Sequence, residues 1–195
     1  MATNSVKYSI NQGLVSPAHW CPSPNYNARP EGQSGDISLL VLHNISLPPG
    51  QFGGGYVQQF FANQLDPSEH PYFAEIADLR VPSHLFIERC GQVIQFVNMN
   101  DRAWHAGRSC FQKQTECNDY SIGIELEGTD SSLYTAEQYQ TLSALIPAIL
   151  KAYPQITPYR ITGHEFIAPG RKTDPGNAFN WQRLFQDLNK RNSNA

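Results

Sequence analysis

The chain has 195 residues, 40% of them hydrophobic, and its formal net charge at pH 7 is −3. This length suffices for one domain that buries roughly 70% of its unfolded surface, and it is short for two. No block of like charges occurs, which argues against a nucleic-acid partner or a basic membrane-binding patch. We therefore expect a single domain, and we look for a small-molecule partner in a pocket.

The first residues, MATNSVKYSI, contain no basic stretch followed by an apolar one, and no uncharged apolar run approaches 18 residues. This pattern favours a cytoplasmic location. The four cysteines have no CxxC spacing, and a chain of this size does not require disulfides. We expect reduced thiols and no thiolate zinc site.

The first half of the chain predicts an irregular start and a buried central strand. Residues 1–36 are rich in Pro, Asn and Ser, and we expect them to form an irregular segment packed on a domain of residues 37–190. Residues 37–45, ISLLVLHNI, are too apolar for a one-faced strand and predict one covered on both sides, ending in His43 and Asn44. A Gly/Pro-rich loop and a short helix, YVQQFFANQL, follow.

The second half predicts a hairpin, a strand and two helices. Residues 84–88 and 92–97 form two β-rich runs around a short turn. Alternation in YSIGIELEG places Glu125 and Glu127 on one face of a strand. A capping box begins a helix near residue 135, which we expect to kink at Pro147, and a last helix begins near Asn180. Residues 191–195 are predicted to be a frayed tail. The order of elements indicates a mixed α/β (α+β) fold with a central mixed sheet flanked by helices.

Two histidines and an aspartate stand out by position. His43 ends the buried strand, His164 follows a short strand at 159–162, and Asp174 lies ten residues later in a Thr-Asp-Pro-Gly turn. Two imidazoles and one carboxylate are a common catalytic zinc set, with the fourth position open to water. A single histidine is more often a hydrogen-bonded residue without such a role. On the residues alone, the grouping is one of many combinations.

Four segments, HNISLPPG, RAWHAG, IGIELEGTD and TGHEFIAPGRKTDPG, occur in this order. They resemble the signature segments of the zinc-dependent N-acetylmuramoyl-L-alanine amidases of the T7-lysozyme and peptidoglycan-recognition type. The resemblance extends from Pro22 to Leu188 and implies a mixed sheet with a groove that holds one zinc ion. Within this family it points to the cytoplasmic bacterial enzymes that act on anhydromuramyl-peptides during cell-wall recycling.

The resemblance assigns roles residue by residue. It implies that His43, His164 and Asp174 bind Zn²⁺ and that Glu125 and Lys172 are catalytic. Alternation alone does not choose Glu125 over Glu127. Five residues in or near the matching segments are further expected to line the substrate groove: Asn44, Arg80, Trp104, His105 and Arg171.

The implied activity is hydrolysis of the amide bond between 1,6-anhydro-N-acetylmuramic acid and the L-alanine of a stem peptide. In relatives this activity also influences β-lactamase induction. We expect a monomer whose partner is a small muropeptide, with no nucleic acid or membrane involved. Three alternatives stay open: a peptidoglycan-recognition module that binds without cleaving, a structural zinc protein, and an amidase acting on polymeric peptidoglycan. The presence of all five residues, His43, His164, Asp174, Glu125 and Lys172, favours catalysis. A structural zinc site usually has a fourth side-chain ligand, often a cysteine, and no cysteine lies within either ligand segment, which disfavours a structural site.

Overall fold

The computed structural model describes residues 6–31 and 37–192. In this part of the chain, helices pack against a central six-stranded mixed β-sheet, and three further sheets have two strands each. The predicted fold class is confirmed. The strands are β1 Ser9–Asn11, β2 Leu14–Ser16, β3 His19–Trp20, β4 Tyr26–Asn27, β5 Leu39–Ile45, β6 Leu85–Ile87, β7 Val93–Gln95, β8 Arg102–Ala103, β9 Cys110–Phe111, β10 Gln114–Thr115, β11 Ser121–Glu127 and β12 Ile161–Gly163. The helices are α1 Tyr56–Phe61, α2 Pro71–Ile76, α3 Ala136–Ala152, α4 His164–Ile167 and α5 Trp181–Asn192.

The central sheet has the strand order β12-β5-β11-β6-β7-β3. Strands β5, β11 and β12 are parallel neighbours, whereas β6 and β7 form the predicted antiparallel hairpin. Parallel strands present their carboxyl ends at one edge of a sheet, which is where α/β proteins place their sites. The register pairs Glu125 with His43, and β12 ends at Gly163, directly before His164. The topology therefore brings three of the predicted site residues to one edge.

Alternation along β5 and β11 separates the core from the site. Leu40 and Leu42 of β5 pack in one cluster with Ile122 and Ile124 of β11 and with the buried faces of α3 and α5. Leu39 and Val41 pack on the opposite face with a second cluster. His43 and Glu125 continue that opposite face, because side chains two residues apart in a strand point the same way.

Local sequence signals explain the helices. Thr135 and Gln138 form the predicted capping box at the start of α3. The helix runs through Pro147 without a break, and a bend there stays a prediction. Helix α2 lies in the polar stretch of residues 66–82 and begins with Pro71. It is capped by His70, whose Nδ1 accepts a hydrogen bond from the Tyr72 backbone N–H at 3.1 Å. Within the described residues, no helix is long and apolar enough to cross a membrane.

The prediction of an irregular segment over residues 1–36 is wrong in the part that the structure describes. Strands β1 and β2 form a hairpin, β3 joins the edge of the central sheet beside β7, and β4 pairs with β8. The Gln95 side chain fastens the hairpin, accepting from the Val15 backbone N–H and donating to the Gly13 carbonyl, both at 2.8 Å. Strands β3 and β4 have two residues each, and their partners β7 and β8 lie about 75 positions further along the chain, so no local pattern reveals them. Of the predicted frayed tail, residues 193–195 lie outside the described residues.

Candidate active site

Three side chains meet at the carboxyl edge of the sheet. The Nδ1 atoms of His43 and His164 are 2.9 Å apart, and each lies 3.0 Å from Oδ2 of Asp174. His43 comes from β5, His164 begins α4, and Asp174 lies in the loop after α4, where its backbone carbonyl accepts from the Glu165 N–H. The histidines are buried and Asp174 is 14% exposed. These residues form a group able to hold a metal ion.

The donor atoms suit a small tetrahedral ion. Ligand atoms about 2.0 Å from such an ion are separated by about 3.3 Å, close to the separations of 2.9–3.0 Å found here. The Nε2 atom of His164 lies 3.0 Å from the carbonyl oxygen of Ala106. A hydrogen bond there requires the proton on Nε2, which leaves the Nδ1 lone pair free for a metal.

The charge states of the group also suit a metal. Burial lowers the pKa of His43 to about 4, although the hydrogen bond with Asp174 opposes this shift, so the imidazole is neutral at pH 7. Burial alone would raise the pKa of Asp174, but its close contacts with the rings of His164 and His43 hold it well below its usual range. A neutral imidazole and an ionised carboxylate are the forms that bind metals.

Glu125 places a second carboxyl group beside this site. The residue is 9% exposed, and its buried Oε2 has no hydrogen-bond partner. Burial raises its pKa well above the ordinary value, the negative charge of Asp174 adds to the shift, and Lys172 opposes it. A buried, unpaired carboxylate oxygen is costly for folding. Perturbed groups of this kind cluster at functional sites.

The two histidines, Asp174, Glu125 and Lys172 line one cavity of about 390 Å³. The opposite wall is largely apolar and comes from α1, α2 and the loops beside them, namely Leu47, Pro49, Phe60, Phe61, Tyr72, Ile76, Leu79, Val81 and Pro82. A larger cavity of about 670 Å³ lies between α3 and the N-terminal strands but contains none of the predicted site residues. We assign the chemistry to the smaller cavity because the convergent polar groups lie there.

Lys172 lines the cavity two positions before Asp174. An ion pair with that aspartate would be the alternative use of its charge. Among the ion pairs within residues 6–31 and 37–192, none includes Lys172. Its ammonium group is therefore available to a ligand in the cavity.

Two of the five residues expected in the substrate groove line this cavity. The amide nitrogen of Asn44 donates to Asp130 Oδ1 at 2.8 Å and to the Pro175 carbonyl at 3.1 Å, which ties β5 to the turn after Asp174. His105 is buried, and its ring lies 2.9 Å from that of His43. Asn44 thus links the strand that carries His43 to the loop that carries Asp174, and His105 contacts His43 directly.

The other three are outside the cavity wall. Arg80 is exposed and donates to the carbonyls of its own turn. The indole N–H of Trp104 donates to Asn27 at 2.6 Å, while Arg171 donates to the carbonyls of Ala106 and Arg108. Their satisfied donors hold loops in place, and contact with a substrate stays a prediction for them.

Two features were not visible in the sequence. The apolar wall comes from separate segments that only the fold brings together. Glu127, which alternation could not distinguish from Glu125, accepts hydrogen bonds from the backbone N–H groups of Gly53 and Arg89. It therefore anchors the Gly-rich loop, whereas the buried Oε2 atom of Glu125 has no hydrogen-bond partner.

Residues 33–177 match the protein family described as N-acetylmuramoyl-L-alanine amidase. The chain belongs to this family. It is 55% identical over 179 residues to 1,6-anhydro-N-acetylmuramyl-L-alanine amidase AmpD of Haemophilus influenzae, covering 92% of this chain and 96% of the relative. A crystal structure of AmpD as a selenomethionine derivative superimposes with a TM-score of 0.88 at 50% identity, covering 92% of this chain and 98% of that one.

A more distant member of the family has been solved with a ligand. The Escherichia coli amidase AmiD, in complex with anhydro-N-acetylmuramic acid-L-Ala-D-γ-Glu-L-Lys, matches with a TM-score of 0.58 at 27% identity. The match covers 92% of this chain and 65% of AmiD. The predicted resemblance to AmpD and membership of the amidase class are confirmed. The chain is thus an N-acetylmuramoyl-L-alanine amidase, a hydrolase of amide bonds, and the metal group and Glu125 all lie within the matched range.

Proposed function

We propose that the chain hydrolyses the amide bond between 1,6-anhydro-N-acetylmuramic acid and the L-alanine of the stem peptide in muropeptides, using one zinc ion. The observation behind this proposal is the triangle of His43, His164 and Asp174, beside the buried, unpaired carboxylate oxygen of Glu125 in the same cavity. The names of AmpD and the AmiD complex support the choice of substrate.

The residues divide the reaction between them. Zinc bound by the three side chains would supply Lewis acidity and a water activated near neutral pH. Glu125 accepts the proton of the attacking water and then donates it to the nitrogen of the departing L-alanine. The positive charge of Lys172 stabilises the negative charge that develops on the carbonyl oxygen. This stabilisation is strong where water is excluded. The amide C–N bond breaks, leaving a carboxylate on the muramic acid and a free amine on the peptide.

Two features of the site support this proposal over the binding and structural alternatives. A module that only binds peptidoglycan has no need of a buried unpaired carboxylate, and structural zinc sites close the coordination with a fourth side chain. The metal group found among the described residues has three members and borders a cavity. We place this activity in the cytoplasm, where protein thiols are kept reduced. An influence on β-lactamase induction is part of the same proposal.

The proposal is tested by incubating the zinc-loaded protein with purified anhydromuramyl-tripeptide, with the same muropeptide lacking the anhydro bond, and with intact peptidoglycan. Mass spectrometry follows the released peptide. We expect release from the anhydromuramyl-peptide, loss of activity after chelation, and recovery when zinc is added back. Release only from intact peptidoglycan would refute the proposed substrate, and binding without release from any of them would favour the recognition module.

A further inference from the structure

His105 lies behind the metal group, between His43 and strand β11. Its Nδ1 is 2.9 Å from Nε2 of His43, and its Nε2 is 3.0 Å from Oγ of Ser121. The residue is 8% exposed, so water reaches these atoms poorly. The three side chains form a line of polar contacts that ends at the metal-facing nitrogen of His43.

The metal site determines where the protons lie along this line. If His43 offers the Nδ1 lone pair to an ion, its proton must be on Nε2. That N–H then donates to Nδ1 of His105, which must be unprotonated, and the proton of His105 lies on Nε2 and is donated to Ser121. Each ring nitrogen has one role, and no other arrangement of neutral imidazoles satisfies all three contacts.

The surroundings hold the His105 ring in this position. The side-chain oxygen of Asn118 accepts from the backbone N–H groups of His105 and Ala106, at 3.2 and 2.8 Å. A Cβ atom on Gly123 of β11 would lie 2.6 Å from Cγ and Nδ1 of His105. A side chain at Gly123 would therefore have to displace the ring.

We propose that His105 is a positioning residue, which accepts the Nε2 proton of His43 and thereby fixes the orientation and tautomer of this metal-binding imidazole. Partners of this kind commonly change metal affinity by about 10- to 100-fold when they are removed. The inference rests on the metal centre of the proposed function. It gives His105 a role distinct from the substrate contact expected from the sequence.

Two substitutions of similar chemistry separate this role from general packing. In His105→Asn the side-chain oxygen takes the place of Nδ1 and can still accept from His43. In His105→Gln the polar group extends to the place of Nε2 and reaches Ser121 instead. We expect the Asn variant to bind zinc about as tightly as wild type, and His105→Gln and His105→Ala to bind it about 10- to 100-fold more weakly. Competition with a chromogenic chelator measures the zinc dissociation constant directly.

Two further variants control the experiment. Gly123→Ala leaves His105 in the chain but displaces it, so zinc affinity should fall as in His105→Ala. His19→Asn makes the same exchange at an exposed histidine on β3, at the opposite edge of the central sheet from β12, and it should leave zinc affinity unchanged. Circular dichroism establishes that each variant is folded.

Equal zinc affinity in the Asn and Gln variants, or unchanged affinity in the Ala variant, would overturn the inference. Zinc affinity is measured without substrate, so these outcomes are independent of turnover. A wild-type protein that binds zinc tightly but releases no peptide would refute the proposed function and leave the role of His105 standing.

Discussion

Replacing Glu125 by glutamine removes the proposed general base while keeping the side-chain shape. The cavity offers no substitute, because the other carboxylate on its wall is Asp174, whose Oδ2 is shared by His43 and His164. General acid–base groups contribute roughly 100- to 10,000-fold. With no second base present, we expect kcat to fall about 1,000-fold, which corresponds to ~4 kcal/mol in the activation barrier.

The same substitution has a predictable effect on the zinc-free fold. Burial holds the pKa of Glu125 well above its ordinary value, so the folded state keeps a proton that the unfolded state releases. Wild-type stability therefore decreases as the pH rises from the unfolded pKa of about 4.5 towards the raised folded pKa. Glutamine does not ionise, so the variant should lack this decrease and unfold at a higher denaturant concentration than wild type at pH 8.

Three measurements on the purified variant test this reasoning: peptide release, zinc content and guanidinium unfolding in the presence of a chelator. We expect little turnover, a full zinc complement, and increased zinc-free stability at pH 8. A variant with at least a tenth of wild-type kcat would show that Glu125 is not the base. A variant that has lost its zinc would instead place Glu125 among the ligands.

Three other substitutions test neighbouring parts of the site. Asp174→Ala removes a ligand and should abolish stoichiometric zinc binding; full zinc by metal analysis would contradict the ligand assignment. Lys172→Met should retain zinc but lower kcat about 100- to 1,000-fold, as expected for loss of a group that stabilises an oxyanion; unchanged kcat would remove Lys172 from the mechanism. Burial lowers the pKa of His84 from 6.5 to about 3, so stability should fall as the pH decreases through this window, since the unfolded state takes up the proton first. His84→Asn should abolish about 2 kcal/mol of the stability difference between pH 7 and pH 5, measured by unfolding of the zinc-free protein; an unchanged difference would show that another group titrates.

The sequence predicted the parts of the fold that depend on local patterns. The apolar run of β5, the hairpin of β6 and β7, and the capping box at Thr135 each follow from a few adjacent residues, and each is present. Strands β3 and β4 escaped prediction because their pairing depends on β7 and β8, far along the chain. Hydrogen bonding to a distant strand leaves no periodicity in a segment of two residues.

The candidate site was likewise predictable only in part from the sequence. Position at strand ends singled out His43 and His164, and a turn ten residues later singled out Asp174, but the resemblance to the amidase family was needed to select this grouping. The structure brings the three together. Alternation could not choose Glu125 over Glu127, since both lie on one face of β11. The resemblance made that choice, and the structure adds that Glu127 is occupied by two backbone N–H groups. Arg80, Trp104 and Arg171 were assigned to the groove by nearness in sequence, but each side chain bonds to a loop outside the cavity wall.

The arrangement of the sheet explains why Glu125 lies beside the metal group while its Oε2 atom has no hydrogen-bond partner. The register places Glu125 beside His43 on adjacent strands, yet Asp174 arrives from the loop after α4 and directs its Oδ2 to the two imidazoles. Glu125 is thereby left with a buried oxygen that no donor satisfies. Its unpaired state is costly for folding, but it leaves a proton acceptor open to a water molecule in the cavity. The feature that weakens the fold is the one that the proposed reaction requires.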